Sequence, residues 1–135
     1  MGGFCYVASI ESLSMKTAQT VLVIDDDQVI RDVLNEFLTE QGYNVVLAAD
    51  GLEGLDSIKN ETYDLIIMDI RLPYVSGIGL VKIARQENPQ IPIICITGYG
   101  DSPEKIAEEE KADVTLAKPF NLKDLQHHLT ELLGK

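Results

Sequence analysis

The chain has 135 residues, enough for one domain with a single buried core. Apolar residues make up 45% and charged residues 24%, and 22 acidic side chains against 11 basic ones leave a net charge of −11. Such a surface repels phosphate backbones and anionic membranes, which argues against direct nucleic-acid binding, and it suits a protein that concentrates a divalent cation.

Residues 1–19 show no period, no basic n-region and no long apolar stretch, so they read as an extension without packed structure, natural or added by cloning, rather than a signal peptide. The domain is expected over 20–135. "VLVID" is a short apolar run ending in acid, the mark of a strand buried on both faces. Val29, Ile30, Val33, Leu34, Phe37 and Leu38 then recur at helical spacing, and Gly42 supplies the stop. "YNVVLAA" is a second strand. Asp50 begins a helix carrying Leu52, Leu55 and Ile58 on one face, with Glu53 placed as in a capping box. "YDLIIMD" is a third strand, also ending in an aspartate.

"RLPYVSG" is a loop punctuated by Pro73 and Gly77, followed by helix to about Gln86. Asn88, Pro89 and Pro92 frame the fourth strand, "IPIICIT". A polar helix around 103–110 leads to the fifth, "DVTLA". "KPF" breaks the chain, and Asn121 caps a last helix with Leu122, Leu125, Leu129, Leu132 and Leu133. Strands alternating with helices in this way define an α/β sandwich around a parallel sheet, with right-handed crossovers and helices on both faces. No apolar run approaches the roughly 18 residues of a membrane span, so no membrane association is expected. Cys5 falls in the extension and Cys95 in a buried strand, which suggests reduced thiols and a cytoplasmic protein. His127 and His128 are adjacent, about 100° apart on a helix, so they cannot chelate one metal together and read as solvated residues.

The polar residues converge. Asp25 and Asp26 follow the first strand, Asp69 ends the third, Thr97 ends the fourth and Lys118 follows the fifth. Parallel strands bring these carboxyl ends to one edge, where open α/β sheets bind ligands. Three carboxylates within a few ångströms of each other are destabilised unless a cation sits among them. All-oxygen ligation favours Mg²⁺. A lysine beside the acids can pair with one of them or with a phosphoryl oxygen, and a threonine hydroxyl can donate to another. These are the parts needed to accept a phosphoryl group on a carboxylate.

"VLVIDDD", "DLIIMDIRLP", "ICITGYG" and "LAKPF", in that order and spacing, resemble the CheY-like receiver domain of bacterial two-component response regulators over residues 20–133. The resemblance implies a flavodoxin-like (βα)₅ three-layer sandwich with strand order 2-1-3-4-5. It makes Asp69 the phospho-acceptor, taking its phosphoryl group from the phosphohistidine of a sensor histidine kinase or phosphotransfer protein. Mg²⁺ would be held by Asp25 (largely through water), Asp26, Asp69 and the backbone carbonyl of Arg71. Lys118 would pair with the phosphoryl group, with a cis bond before Pro119. Thr97 would be the switch hydroxyl, with the small Gly98 leaving the acceptor open. The product is a signalling switch rather than an enzyme, acting on a downstream protein and open to phosphorylation-dependent dimerisation. Asp27 has no role in the resemblance and reads as a helix cap.

Two positions depart from the family pattern. Thr115 stands where an aromatic usually accompanies the threonine switch, which would shift that part to Tyr99. Lys111 replaces a usual glycine, after a segment about one residue shorter than common. The 103–110 helix is strongly acidic, which suits either a solvated face or a basic partner. Two other readings stay open from the residues. "DDDQV" also fits a haloacid dehalogenase-like phosphatase with Asp25 as nucleophile and Asp27 as acid/base, though that leaves Asp69 idle. An inert interaction module would keep the fold without the chemistry.

Overall fold

The computed structural model describes residues 18–73, 75–98 and 112–134. Along the chain run β1 (Thr20–Ile24), α1 (Gln28–Glu40), β2 (Asn44–Ala48), α2 (Gly51–Asn60), β3 (Leu65–Asp69), α3 (Gly77–Glu87), β4 (Ile93–Thr97), β5 (Val114–Ala117) and α4 (Leu122–Leu133). All strand pairs are parallel, in the order β2-β1-β3-β4-β5, as the sequence leads one to expect. The expected helix at 103–110, Tyr99, Lys111 and Cys5 lie outside the described residues, as do residues 1–17 of the expected extension.

Strand periodicity divides the core in two. Leu22, Ile24, Ile66, Met68, Ile93 and Cys95 face one way, against Ile58 of α2 and Leu80, Val81 and Ala84 of α3. Val21, Val23, Leu65, Ile67, Ile94 and Ile96 face the other, against Leu34 and Leu38 of α1 and Leu125 and Leu129 of α4. β3 and β4 are buried at every position, so their unbroken apolar runs are what a strand covered on both faces requires.

Each helix starts where a short polar side chain accepts from its first turn. Asp27 takes Val29 N at 2.9 Å, Asp50 takes Glu53 N at 2.8 Å, Ser76 takes Gly79 N at 3.1 Å and Asn121 takes Lys123 N at 2.7 Å. Such caps contribute about 1 kcal/mol apiece. After α1, Gly42 turns the chain with φ +93°, which only glycine adopts without strain.

Two helix faces differ from the sequence expectation. Val29 and Val33 are 69% and 43% exposed, because they sit on the flank of the stripe formed by Ile30, Leu34, Phe37 and Leu38. On α2 the buried face is Gly51, Gly54 and Ile58, and Leu52 points outward. A helix that lies this close to its neighbours buries glycines where a leucine would not fit.

At the amino ends of the strands, polar groups are matched. Asp113 accepts from Ile93 N at 2.7 Å and from Arg85 Nη2 at 3.1 Å, while Arg85 Nη1 donates to the Ile91 carbonyl at 2.6 Å. Asp64 takes Thr20 N at 2.7 Å. A concavity of about 530 Å³ opens at this end over Ile58, Tyr63, Ile66, Ala84 and Ile91, far from the acidic cluster.

Candidate functional site

At the other edge, β1 runs out at Ile24 and the next three residues turn in different directions. Asp25 is fully buried and Asp26 is exposed, while Asp27 is occupied in capping α1. Asp25 Oδ1 accepts from Asp27 N at 2.9 Å, and Arg31 Nη1 donates to the Asp25 carbonyl at 2.7 Å. Asp69 closes β3, 5% exposed. Its Oδ1 accepts from Arg71 N at 2.9 Å and its Oδ2 from Lys118 Nζ at 2.7 Å. Lys118 Nζ also stands 3.6 Å from Asp25 Oδ2, close enough for an ion pair and too long for a hydrogen bond.

One carboxylate oxygen from each of Asp25, Asp26 and Asp69 lies within 4.8 Å of the others, with Lys118 against Asp25 and Asp69. Burial pushes the Asp25 carboxyl above its usual range. The Asp27 amide and Lys118 pull it down, and the charges of Asp69 and Asp26 push it up again. Burial alone would lower the Lys118 pKa, but its bond to Asp69 and the charge of Asp25 outweigh that and raise it, so the ammonium stays charged at neutral pH. Asp25 Oδ2 is buried without a hydrogen-bond partner. A desolvated anionic oxygen left unmatched beside two further carboxylates is costly, and a hard divalent cation bound to oxygen would satisfy it. The donor set fits Mg²⁺.

Thr97 is fully buried at the end of β4, but its hydroxyl faces β5, donating to the Leu116 carbonyl at 3.4 Å. Lys118 N donates to the Thr97 carbonyl at 2.8 Å, so the two strand ends share a rung. The structure therefore gathers Asp25, Asp26, Asp69 and Lys118 and holds Thr97 next to them with its hydroxyl turned aside. Among the described residues, a Cβ on Gly98 would meet nothing within 4 Å. The Lys118–Pro119 bond is cis. Thr115, opposite Cys95 in the register, has a buried hydroxyl without a partner where the family carries an aromatic ring. Arg31 was not legible as part of the site. Its only signal is a lone cation four residues after Asp27, the last of the three acids.

The profile described as "Response regulator receiver domain" matches residues 21–130, and the chain belongs to that family. It is 35% identical over 116 residues to the response regulator MprA of Mycobacterium sp. (strain KMS), a match covering 85% of this chain and 50% of MprA. The chain thus spans about half the length of the curated relatives it matches. Two solved structures are alike in fold. One is the receiver domain of sensor histidine kinase PA1611 from Pseudomonas aeruginosa PAO1, with a magnesium ion coordinated in its active-site cleft. It is 30% identical with TM-score 0.78, the match covering 87% of this chain and 99% of that one. The other is the response regulator TrrA from Thermotoga maritima in complex with Mg²⁺–BeF, at 32% identity and TM-score 0.75, covering 84% and 98%.

This is a CheY-like receiver domain of two-component signalling. Among the described residues no helix is long and apolar enough to cross a membrane. The phosphatase reading needs Asp27 as its acid/base, and that carboxylate is spent on the α1 cap.

Proposed function

We propose that Asp69 accepts a phosphoryl group from a phosphohistidine on a sensor kinase or phosphotransfer protein, with Mg²⁺ required, and that the aspartyl phosphate switches a surface read by a downstream protein. The observation that carries this reading is the buried, unmatched Asp25 Oδ2 beside Asp69 and Lys118. Asp25, Asp26, Asp69 and the Arg71 carbonyl would hold the ion. When bound, Mg²⁺ neutralises the acids and the phosphoryl oxygens they would otherwise repel.

The chain's own groups do the rest. An Asp69 oxygen forms the new O–P bond as the N–P bond of the phosphohistidine breaks, and the electron pair of that bond returns to the imidazole nitrogen. Arg71 N fixes one oxygen of Asp69 and orients the carboxylate. Lys118 stays protonated through the reaction and exchanges its Asp69 partner for a phosphoryl oxygen. Thr97 leaves the Leu116 carbonyl for another phosphoryl oxygen and draws the following loop with it. Thr115 leaves room where the family has an aromatic ring, so the movement is reported without it. The exposed Val29 and Val33 give a phosphodonor an apolar face on α1, the helix that follows the acids. In this reading residues 20–135 form a cytoplasmic receiver unit, residues 1–19 are an extension, and the domain labels itself rather than turning over a substrate.

Intact mass after incubation with Mg²⁺ and acetyl phosphate tests the reading, beside Asp69→Asn and a metal-free control. One added phosphoryl group that requires both Asp69 and the metal is the expected result. An inert module would take no label. A phosphatase would hydrolyse a phosphomonoester in a reaction indifferent to Asp69.

A further inference from the structure

Glycine in a helix costs about 1 kcal/mol against alanine, and α2 places two of them, Gly51 and Gly54, three residues apart on its buried face. Neither has a positive φ, so backbone freedom does not explain them. What each supplies is the absence of a Cβ. At Gly54 that atom would lie 2.8 Å from Ile24 Cδ1, 3.0 Å from Cγ2 and 3.2 Å from Cγ1, all side-chain atoms of one buried residue and none of them backbone. At Gly51 it would lie 2.7 Å from Val75 Cβ and 3.2 Å from the carbonyl oxygens of Pro73 and Val75. Those are backbone-anchored atoms that no rotamer can move.

Pro73 and Val75 belong to the loop that leaves Asp69. Its near end is tied to the site by Arg71 N on Asp69 Oδ1 at 2.9 Å and by Ile70 N on the Ile96 carbonyl at 3.0 Å. Its far end meets Gly77, where a Cβ would come within 2.7 Å of the Ile70 carbonyl. The middle of the loop, folded by Val75 N on the Pro73 carbonyl at 2.9 Å, rests on Gly51. The first turn of α2 is in turn fixed by the Asp50 cap.

We propose that Gly51 is a positioning residue for the phosphoryl site: its missing side chain lets α2 hold Pro73 and Val75 where Arg71 and Asp69 keep their arrangement. This rests on the proposed function of that site. A methyl group at 51 displaces loop backbone, and the displacement reaches Asp69 and the Arg71 backbone through the bond between them. A methyl group at 54 presses on the Ile24 side chain alone, which leads to core packing and not to the loop.

The test is Mg²⁺ titration by calorimetry, on the folded full chain, of wild type, Gly51→Ala, Gly54→Ala and the double variant Gly51→Ala/Val75→Gly, with thermal melts of each in the absence of metal. The expected result is an affinity at least tenfold weaker in Gly51→Ala and unchanged in Gly54→Ala, although both melt lower than wild type. The double variant, which removes the 2.7 Å overlap, regains most of the affinity. Equal weakening in the two alanine variants would overturn the proposal, since general loosening would then suffice, and so would wild-type affinity in Gly51→Ala. Wild type that binds no Mg²⁺ and takes no phosphoryl group would sink the reading of the site itself, an outcome separate from either.

Discussion

The two ends of the sheet use the same residue types to opposite effect. At the amino end, Asp113 and Asp64 each accept from a strand amide, and Asp113 also meets Arg85. These acids finish hydrogen bonds that the strand ends would otherwise lack. At the carboxyl end, Asp25, Asp26 and Asp69 crowd together, Lys118 meets Asp25 and Asp69, and a buried oxygen is left over. An aspartate with all its partners in the chain stabilises the fold and has nothing to offer a ligand. An aspartate short of a partner costs stability and supplies the ligand-binding capacity. The difference between structural and functional acid is thus a matter of which hydrogen bonds remain unmade.

Substitutions at the two ends should separate stability from chemistry. Asp69→Asn is expected to abolish phosphoryl labelling altogether while the protein stays folded, as read by intact mass and circular dichroism. Asp113→Ala leaves Ile93 N without its acceptor and removes one partner of Arg85, so urea titration should show a loss of about 2–3 kcal/mol. Its Mg²⁺ affinity should not change, and a large change would break the comparison. Asp25→Asn should act in the opposite sense. Removing a buried, underpaired charge should raise metal-free stability by about 1–2 kcal/mol, while Mg²⁺ affinity falls at least tenfold. A less stable Asp25→Asn protein would show that the lysine already balances the acids. Asp27→Ala, the smallest effect, should cost about 1 kcal/mol through the lost α1 cap and leave labelling intact.

Much of this was legible in the sequence, for identifiable reasons. Unbroken apolar runs marked β3 and β4 because strands covered on both faces have no polar side to show. Asp27, Asp50 and Asn121 announced helix starts because a short acceptor just before an apolar period has few other uses. The shared edge of Asp25, Asp26, Asp69 and Lys118 followed from parallel topology alone. Contacts between distant segments were not legible. Apolar periodicity placed Leu52 inward, whereas the close approach of α2 to Pro73 and Val75 turned Gly51 inward and its approach to Ile24 of β1 turned Gly54 inward. The Arg85–Asp113 pair and the Arg31 bond to the Asp25 carbonyl depend on side-chain reach, which no local pattern encodes. Nor could spacing reveal that the Thr97 hydroxyl turns toward β5, since side-chain direction at a strand end is not written in the sequence pattern.

In the proposed switch, the Thr97 rotamer would set the sensitivity. The Thr97–Leu116 contact, at 3.4 Å, is near the outer limit of a hydrogen bond, and its release costs little. The Thr97 carbonyl, by contrast, is pinned to Lys118 N at 2.8 Å. Under the proposed function, a latch held this lightly would have a low threshold, since little is lost when the hydroxyl exchanges the Leu116 carbonyl for a phosphoryl oxygen.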